Sequence, residues 1–133
     1  MNIVAIESST NICSVSSFKD NHLLNVIETK EAKLHTKVLP IMIKTIMVDF
    51  SNYQDIDAFA ISIGPGSFTS LRISLSLVKG LAFGLRNNII PIPTLESLNF
   101  AIDDKKEHCV IIDAFKDKFF IQKFNGEDAL DLP

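Results

Sequence analysis

Apolar and polar positions alternate in three short runs at the start of the chain, 2–6, 12–18 and 23–29, with turn-prone residues at 8–11 and 19–22 between them. Alternation with a period of two predicts strands, and connections this short predict an antiparallel meander. The period then changes. Residues 34–50 carry apolar side chains at helical spacing, 51–57 are polar enough to form a loop, and 57–63 are dense enough in apolar residues to run inside a sheet. Gly64-Pro65-Gly66-Ser67 breaks the chain, with Ser67 as the expected N-cap of a second helix over 68–85. A short strand over 89–92 and a third helix follow; Thr94 is its expected cap, and Ser97 stands where an acid is usual. Beyond 103–107, two more strands, 109–113 and 118–124, are joined by a tight segment at 114–117 and followed by a polar tail, 125–131, that reads as an ordinary chain end.

The order βββαβαβα predicts an α/β fold in which a mixed five-stranded sheet carries helices, the arrangement of one lobe of the actin-like (ASKHA, ribonuclease H-like) group. Residues 1–104 are expected to form that lobe. Residues 105–133 are expected to be the remnant of a second lobe, reduced to a hairpin with a tail. Phe115, Phe119, Phe120 and Phe124 put aromatic side chains on both faces of this hairpin, which needs cover from the third helix, another copy or a partner.

The two long helices carry more apolar surface than one sheet contact requires. The first has two stripes: Leu34, Val38, Ile41 and Val48, and also Leu39, Ile43, Ile46, Met47 and Phe50. The second has Phe68, Leu71, Leu75, Val78, Ala82 and Leu85 on one side and Ile73, Leu77 and Leu81 elsewhere, while Ser76, Gly80 and Gly84 fall four apart and admit close approach of another helix. A chain of 133 residues has little material to bury both helices all round. The surplus stripe is therefore expected to be a partner interface, through His35, Leu39, Ile43, Ile46 and Met47 of the first helix and Thr69, Arg72, Ser76, Lys79 and Gly80 of the second. Aspartate at Leu39 or Ile46 is expected to disrupt association there.

Composition narrows the chemistry. Hydrophobic residues make up 47% of the chain, enough for a real core, and the net charge of −3 comes without a basic block that could track a row of phosphates. RNA binding by this chain unaided is not expected. Cys13 and Cys109 lie in strand-like runs without CxxC spacing and are expected to be buried thiols in a reducing compartment. The N-terminus lacks a basic leader, and no uncharged stretch reaches the roughly 18 residues of a membrane span, so a cytoplasmic location is expected. His22, His35 and His108 form no metal-binding pair, and no Ser, His and acid grouping supports peptidase chemistry.

Several segments, in order, resemble the TsaB (YeaZ) family. Ile6-Glu7-Ser8-Ser9-Thr10 is similar to that family's Asp-Thr-Ser-Thr after the first strand, and Leu34-His35 through Val38-Leu39-Pro40 to its His-Ser-x-x-Leu-Leu-Pro helix. Gly64-Pro65-Gly66-Ser67-Phe68-Thr69-Ser70-Leu71-Arg72-Ile73 differs from the family's GPGSFTGLRI at Ser70 alone. Lys79-Gly80-Leu81-Ala82 and Pro93-Thr94-Leu95-Glu96-Ser97-Leu98 continue the correspondence, and Asp113-Ala114 marks the entrance to the second lobe. The resemblance implies a non-catalytic accessory subunit of the machinery that forms N6-threonylcarbamoyladenosine at position 37 of tRNAs reading ANN codons. It implies a heterodimer with the transferase TsaD, a ternary complex with the ATPase TsaE, a homodimer in isolation through a bundle of the two long helices, and contact with tRNA only through the complex. The chain departs from the family in its short second lobe, in Ser70, and in Phe115 where an Arg is expected.

Glu7, Ser9, Thr10, Gly64, Gly66 and Ser67 are the candidates for a nucleotide contact, since glycines at a strand-to-helix turn expose amides at the positive end of a helix. The alternative is a tight turn with a purely structural task. Neither GxxxxGK[ST] nor GxGxxG is present, Glu7 is one methylene longer than the Asp of actin-like ATPases, and serine crowds a phosphate where glycine would not. No cofactor is expected of this chain itself, and ATP or ADP has a place only at the interface of a complex. Two alternatives stand beside the accessory role: an actin-like nucleotide-binding ATPase or kinase, and a generic homodimeric interaction module.

Overall fold

Residues 1–30, 35–103, 106–114 and 118–131 are described by a computed structural model. Strands β1 (Asn2–Glu7), β2 (Cys13–Lys19) and β3 (His22–Thr29) form the expected meander. Asp20 and Asn21 turn the chain between β2 and β3 with φ of 49° and 66°, left-handed values that match the twist of a hairpin. Helix α1 (His35–Met47) and a 3-10 turn (Tyr53–Asp55), capped by the Asn52 side chain, lead into β4 (Ala58–Gly64). Helix α2 (Phe68–Leu85), β5 (Asn88–Pro93) and α3 (Thr94–Asn99) complete the first unit.

The first sheet has the order β3-β2-β1-β4-β5, with β4 parallel to both β1 and β5. It is the mixed five-stranded sheet of an actin-like α/β fold. Both long helices cover one face, because Val4, Ile6, Val15, Phe59 and Ile61 project there and meet Leu39, Ile43 and Ile46 of α1 and Val78 and Ala82 of α2. Each large side chain withdrawn from water contributes ~1.5–3 kcal/mol. The small residues Ser74 and Ala82, flanking Val78, let α2 lie close to β4. By length and composition alone α2 is also apolar enough to cross a membrane, but it carries Arg72 and Lys79 and packs on β4.

A second sheet, β6 (Glu107–Asp113), β7 (Phe119–Asn125) and β8 (Asp128–Ala129), is antiparallel throughout. Its inner face, Val110, Ile112, Phe120 and Phe124, closes on Leu95 of α3, so the third helix covers one face of the aromatic hairpin, while Phe119, Ile111 and Ile121 on the other face remain exposed. The ring of His108 stacks on Phe124 at 6.0 Å, and its Nε2 lies 2.6 Å from the Asn99 side-chain oxygen. Phe115 lies outside the described residues.

Several sequence expectations need correction. Leu39, Ile43, Ile46 and Met47 are buried in the chain's own core, Leu39 at 1% and Ile46 at 0% exposure, because theirs is the stripe of α1 that faces the sheet. Of the other stripe, Ile41 and Val48 stand 65% and 66% exposed and are the surplus, while Val38 is partly buried against the core and Leu34 lies outside the described residues. Thr94 does not cap α3: Pro93 holds that position, and the Thr94 hydroxyl is buried without a partner among the described residues. The tail after 125 is not merely polar, since Gly126-Glu127 turns it back to pair Asp128 and Ala129 with β7, Gly126 taking φ 61°.

Cys109 is exposed, on the outward side of β6, whereas Cys13 is buried. Burial, and secondarily the charge of Glu7, pushes the Cys13 thiol up to about 11 from 9.0. A raised value means that the fold favours the neutral thiol; the associated stability is complete below pH 9 and is lost as pH rises through 11. At pH 8 a thiol reagent such as DTNB should therefore titrate one cysteine in the folded chain and both in denaturant. Two fast-reacting thiols in the native state would contradict this placement.

Candidate functional site

Two places bring together residues singled out in the sequence. The first is the junction where the turn after β1 meets the turn before α2. Glu7 ends β1, and its Oε1 accepts the Ser9 amide at 2.5 Å. The Ser67 amide in turn donates to the Ser9 carbonyl at 2.6 Å, and Ser67 stands at the N-cap position with its hydroxyl directed to Ser70 Oγ at 3.1 Å. Gly66 backs directly on Ser9: a Cβ there would come within 2.3 Å of the Ser9 carbonyl oxygen. Beneath them the hydroxyls of Ser8 and Ser74 lie 2.7 Å apart, and the Ser8 amide donates to Ser62 Oγ at 3.4 Å. The amide of Ser67, which a phosphate cradle would need free, is engaged with the Ser9 carbonyl, and one oxygen of the Glu7 carboxylate is engaged with the Ser9 amide.

Ser9, Thr10 and Ser67 do reach a common cleft, of about 230 Å³, with Asn11 beside them and Leu98, Ile111, Ile112 and Asp113 on the far wall. Glu7 does not share it; it borders a separate hollow of about 110 Å³ on the open face of the first sheet, among Ala5, Ser14, Ser16, Ala60 and Ser62. Gly64 and Gly66 line neither. A volume of about 230 Å³ lies below the ordinary range for drug-sized ligands, roughly 300–1,000 Å³. Asn11 and Asp113 were not anticipated as partners of the serines. Asp113 ends β6 as Glu7 ends β1, and that parallel was the available signal. Among the described residues no group of three metal-ligating side chains gathers.

The second place is the outer surface of α1 and α2. Thr69, Arg72, Ser76, Lys79 and Gly80 are all exposed on α2, as the spacing predicts, and Arg72 lies over the ring of Phe68 at 5.3 Å. The side chain of His35 is outside the described residues. Between the helices runs a groove of about 530 Å³ whose apolar lining includes Ile43 and Met47 of α1 and Leu77, Leu81 and Leu85 of α2. Ile43 and Met47 thus serve the core and also reach the groove floor. Gly80 and Gly84 open onto it, and a Cβ at either would meet no atom within 4 Å. Phe83, one turn from Gly80, is 88% exposed.

Comparison with known proteins gives a consistent picture. The profile of the family described as "TsaD: tRNA N6-adenosine threonylcarbamoyltransferase" matches residues 23–129. The chain is 30% identical over 125 residues to the tRNA threonylcarbamoyladenosine biosynthesis protein TsaB of Buchnera aphidicola from Acyrthosiphon pisum, covering 92% of this chain and 57% of that protein. It is 32% identical over 98 residues to the TsaB of Escherichia coli K12, covering 74% and 42%. YeaZ from Pseudomonas aeruginosa superimposes with a TM-score of 0.81 at 26% identity, over 93% of this chain and 60% of that one. The chain thus spans about half the length of the curated relatives it matches.

Proposed function

We propose, on the premise that the chain belongs to the TsaD family and within it to the TsaB (YeaZ) proteins, that it acts in tRNA threonylcarbamoyladenosine biosynthesis as a non-catalytic accessory subunit. Its partner in this reading is the transferase TsaD, with TsaE joining a ternary complex, and tRNA meets the chain only through that complex in the cytoplasm. One observation carries the proposal: the outer face of α1 and α2 keeps an apolar groove floored by Ile43, Met47, Leu77, Leu81 and Leu85, with nothing above Gly80 and Gly84. Glycines that open a helix surface let a second helix approach at short range. The self-contained ATPase is the weaker alternative, since one oxygen of Glu7 and the Ser67 amide are engaged within the turn they stabilise.

Gly80→Leu tests this reading without disturbing the fold. Leucine removes the ~0.8–1.0 kcal/mol penalty of glycine in a helix and has room to do so, so the melting temperature should hold or rise. The same side chain would fill the groove. Light scattering on the chain, on TsaD and on their mixture should give a heterodimer mass for the wild type, and that mass should vanish for Gly80→Leu. A mixture in which the wild-type chain and TsaD elute separately would defeat the proposal. Steady phosphate release from ATP and magnesium that is lost in Glu7→Ala would favour the enzyme instead.

A further inference from the structure

The second sheet is covered on one face only. In the register of β6 and β7, Ile111 stands directly opposite Ile121, Cys109 opposite Lys123 and Asp113 opposite Phe119. Alternation along the strands puts these six side chains on the face turned away from α3. The return strand extends that face, since Leu130 lies beside Lys123, its amide donating to the Lys123 carbonyl at 2.8 Å. Ile111, Phe119, Ile121 and Leu130 are between 46% and 58% exposed. Large apolar side chains gathered on one face mark a surface with a use, and this one shares no residue with the groove between α1 and α2. Its charges are placed diagonally: Asp113 at one end of β6, Lys123 at the opposite corner on β7, and the Ile111–Ile121 pair midway. Among the described residues the Lys123 ammonium makes no ion pair within the chain.

We propose that this face docks a second copy of the chain, sheet against sheet, about a two-fold axis that passes beside Ile111 and Ile121. A two-fold contact places the same patch on both sides, so the patch has to complement itself. Facing sheets pack ~10 Å apart with their strands about 30° from alignment. An axis lying in that interface sets Ile111 and Ile121 against their own counterparts, and it turns the Lys123 corner of each copy over the Asp113 corner of the other. The apolar centre supplies attraction, and the two Lys–Asp pairs fix the register and reject like-charged competitors. The face is narrow, two seven-residue strands and a two-residue return strand, and it falls short of the ~1,200–2,000 Å² of a stable interface. The dimer therefore forms and dissociates with concentration, and the corner charges decide whether it forms. The proposal is independent of the accessory-subunit reading, which uses the helix groove.

Sedimentation equilibrium of the full chain carrying Gly80→Leu, which fills the helix groove, isolates this contact. That variant should still dimerise as its concentration rises. Adding Lys123→Glu, which sets two carboxylates together at each corner, should weaken the dimer at least ~tenfold, and adding Asp113→Lys to that chain should restore it, because the corners are then exchanged. All three positions are exposed, so the thermal melts should stay in place. In a Cys109→Ser background, Ile121→Cys should oxidise to a covalent dimer through its own counterpart, whereas Asn25→Cys, exposed on β3, should not. A Gly80→Leu chain that stays monomeric at every concentration, a dimer indifferent to Lys123→Glu, or Ile121→Cys cross-linking no faster than Asn25→Cys would overturn the proposal. Binding of TsaD is read separately on the wild-type chain, so either reading can fail while the other stands.

Discussion

Ile46→Asp will not give a folded chain that has merely lost its partner; it will unfold the first sheet and its helices. Ile46 has 0% exposure and lies within the cluster formed by Val4, Val15, Leu39 and Phe59. Truncating a buried isoleucine costs ~2–5 kcal/mol, and an unpaired carboxylate in its place adds several more through desolvation. The sum is comparable with the whole stability of an ordinary domain, ~5–15 kcal/mol. Circular dichroism at 25 °C should show loss of the cooperative melt, and Leu39→Asp should behave in the same way. A native-like melt for Ile46→Asp would mean that this face of α1 is not packed on the sheet. Aspartate scanning of these positions therefore reports on folding, and the interface has to be probed at Gly80 or Lys44, exposed residues that line the groove.

Gly66→Ala is the second large effect. The added methyl would stand 2.3 Å from the Ser9 carbonyl oxygen and 2.6 Å from its Cβ, both backbone-anchored, so one of the two turns has to move. At φ 157° the backbone is also one that L side chains rarely adopt. Displacing the turns breaks the Ser67 amide bond to Ser9 and loosens the buried Ser8 and Ser74 hydroxyls below. Loss of one or two buried hydrogen bonds together with the strain predicts ~2–4 kcal/mol. The check is a urea titration, in which the midpoint should fall with the slope unchanged. An unaltered midpoint would show that the two turns are not locked together.

The sequence made some of this legible and hid the rest for definite reasons. Alternation located β1 to β3, and the break at Gly64 to Ser67 placed the start of α2 at Phe68. Periodicity also detected two apolar stripes on α1. It could not say which one faces the sheet, because both are apolar and only the position of β1, β2 and β3 beneath the helix decides. Leu39, Ile43, Ile46 and Met47 went inward, and Ile41 and Val48 stayed out. The return strand β8 follows the two-residue turn Gly126-Glu127, with glycine at the first central position as such hairpins favour, and was obscured by the polarity of its surroundings. Asp113 was legible only as the acid that ends β6; that it walls the cleft of Ser9, more than a hundred positions away, depends on how the second sheet docks across α3.

The position of β1 sets the order in which this chain can assemble. On one side it joins β2 after a short turn; on the other it waits for β4, and the contact between Asn2 and Asp57 spans 55 positions. Closing a loop of that length costs conformational entropy that the local hairpin does not. The meander therefore forms first, and until α1 and β4 have been synthesised the free edge of β1 and the apolar side chains of Val4 and Ile6 stand open to water. That interval, rather than the finished fold, is when the chain is most exposed to aggregation and to capture by chaperones.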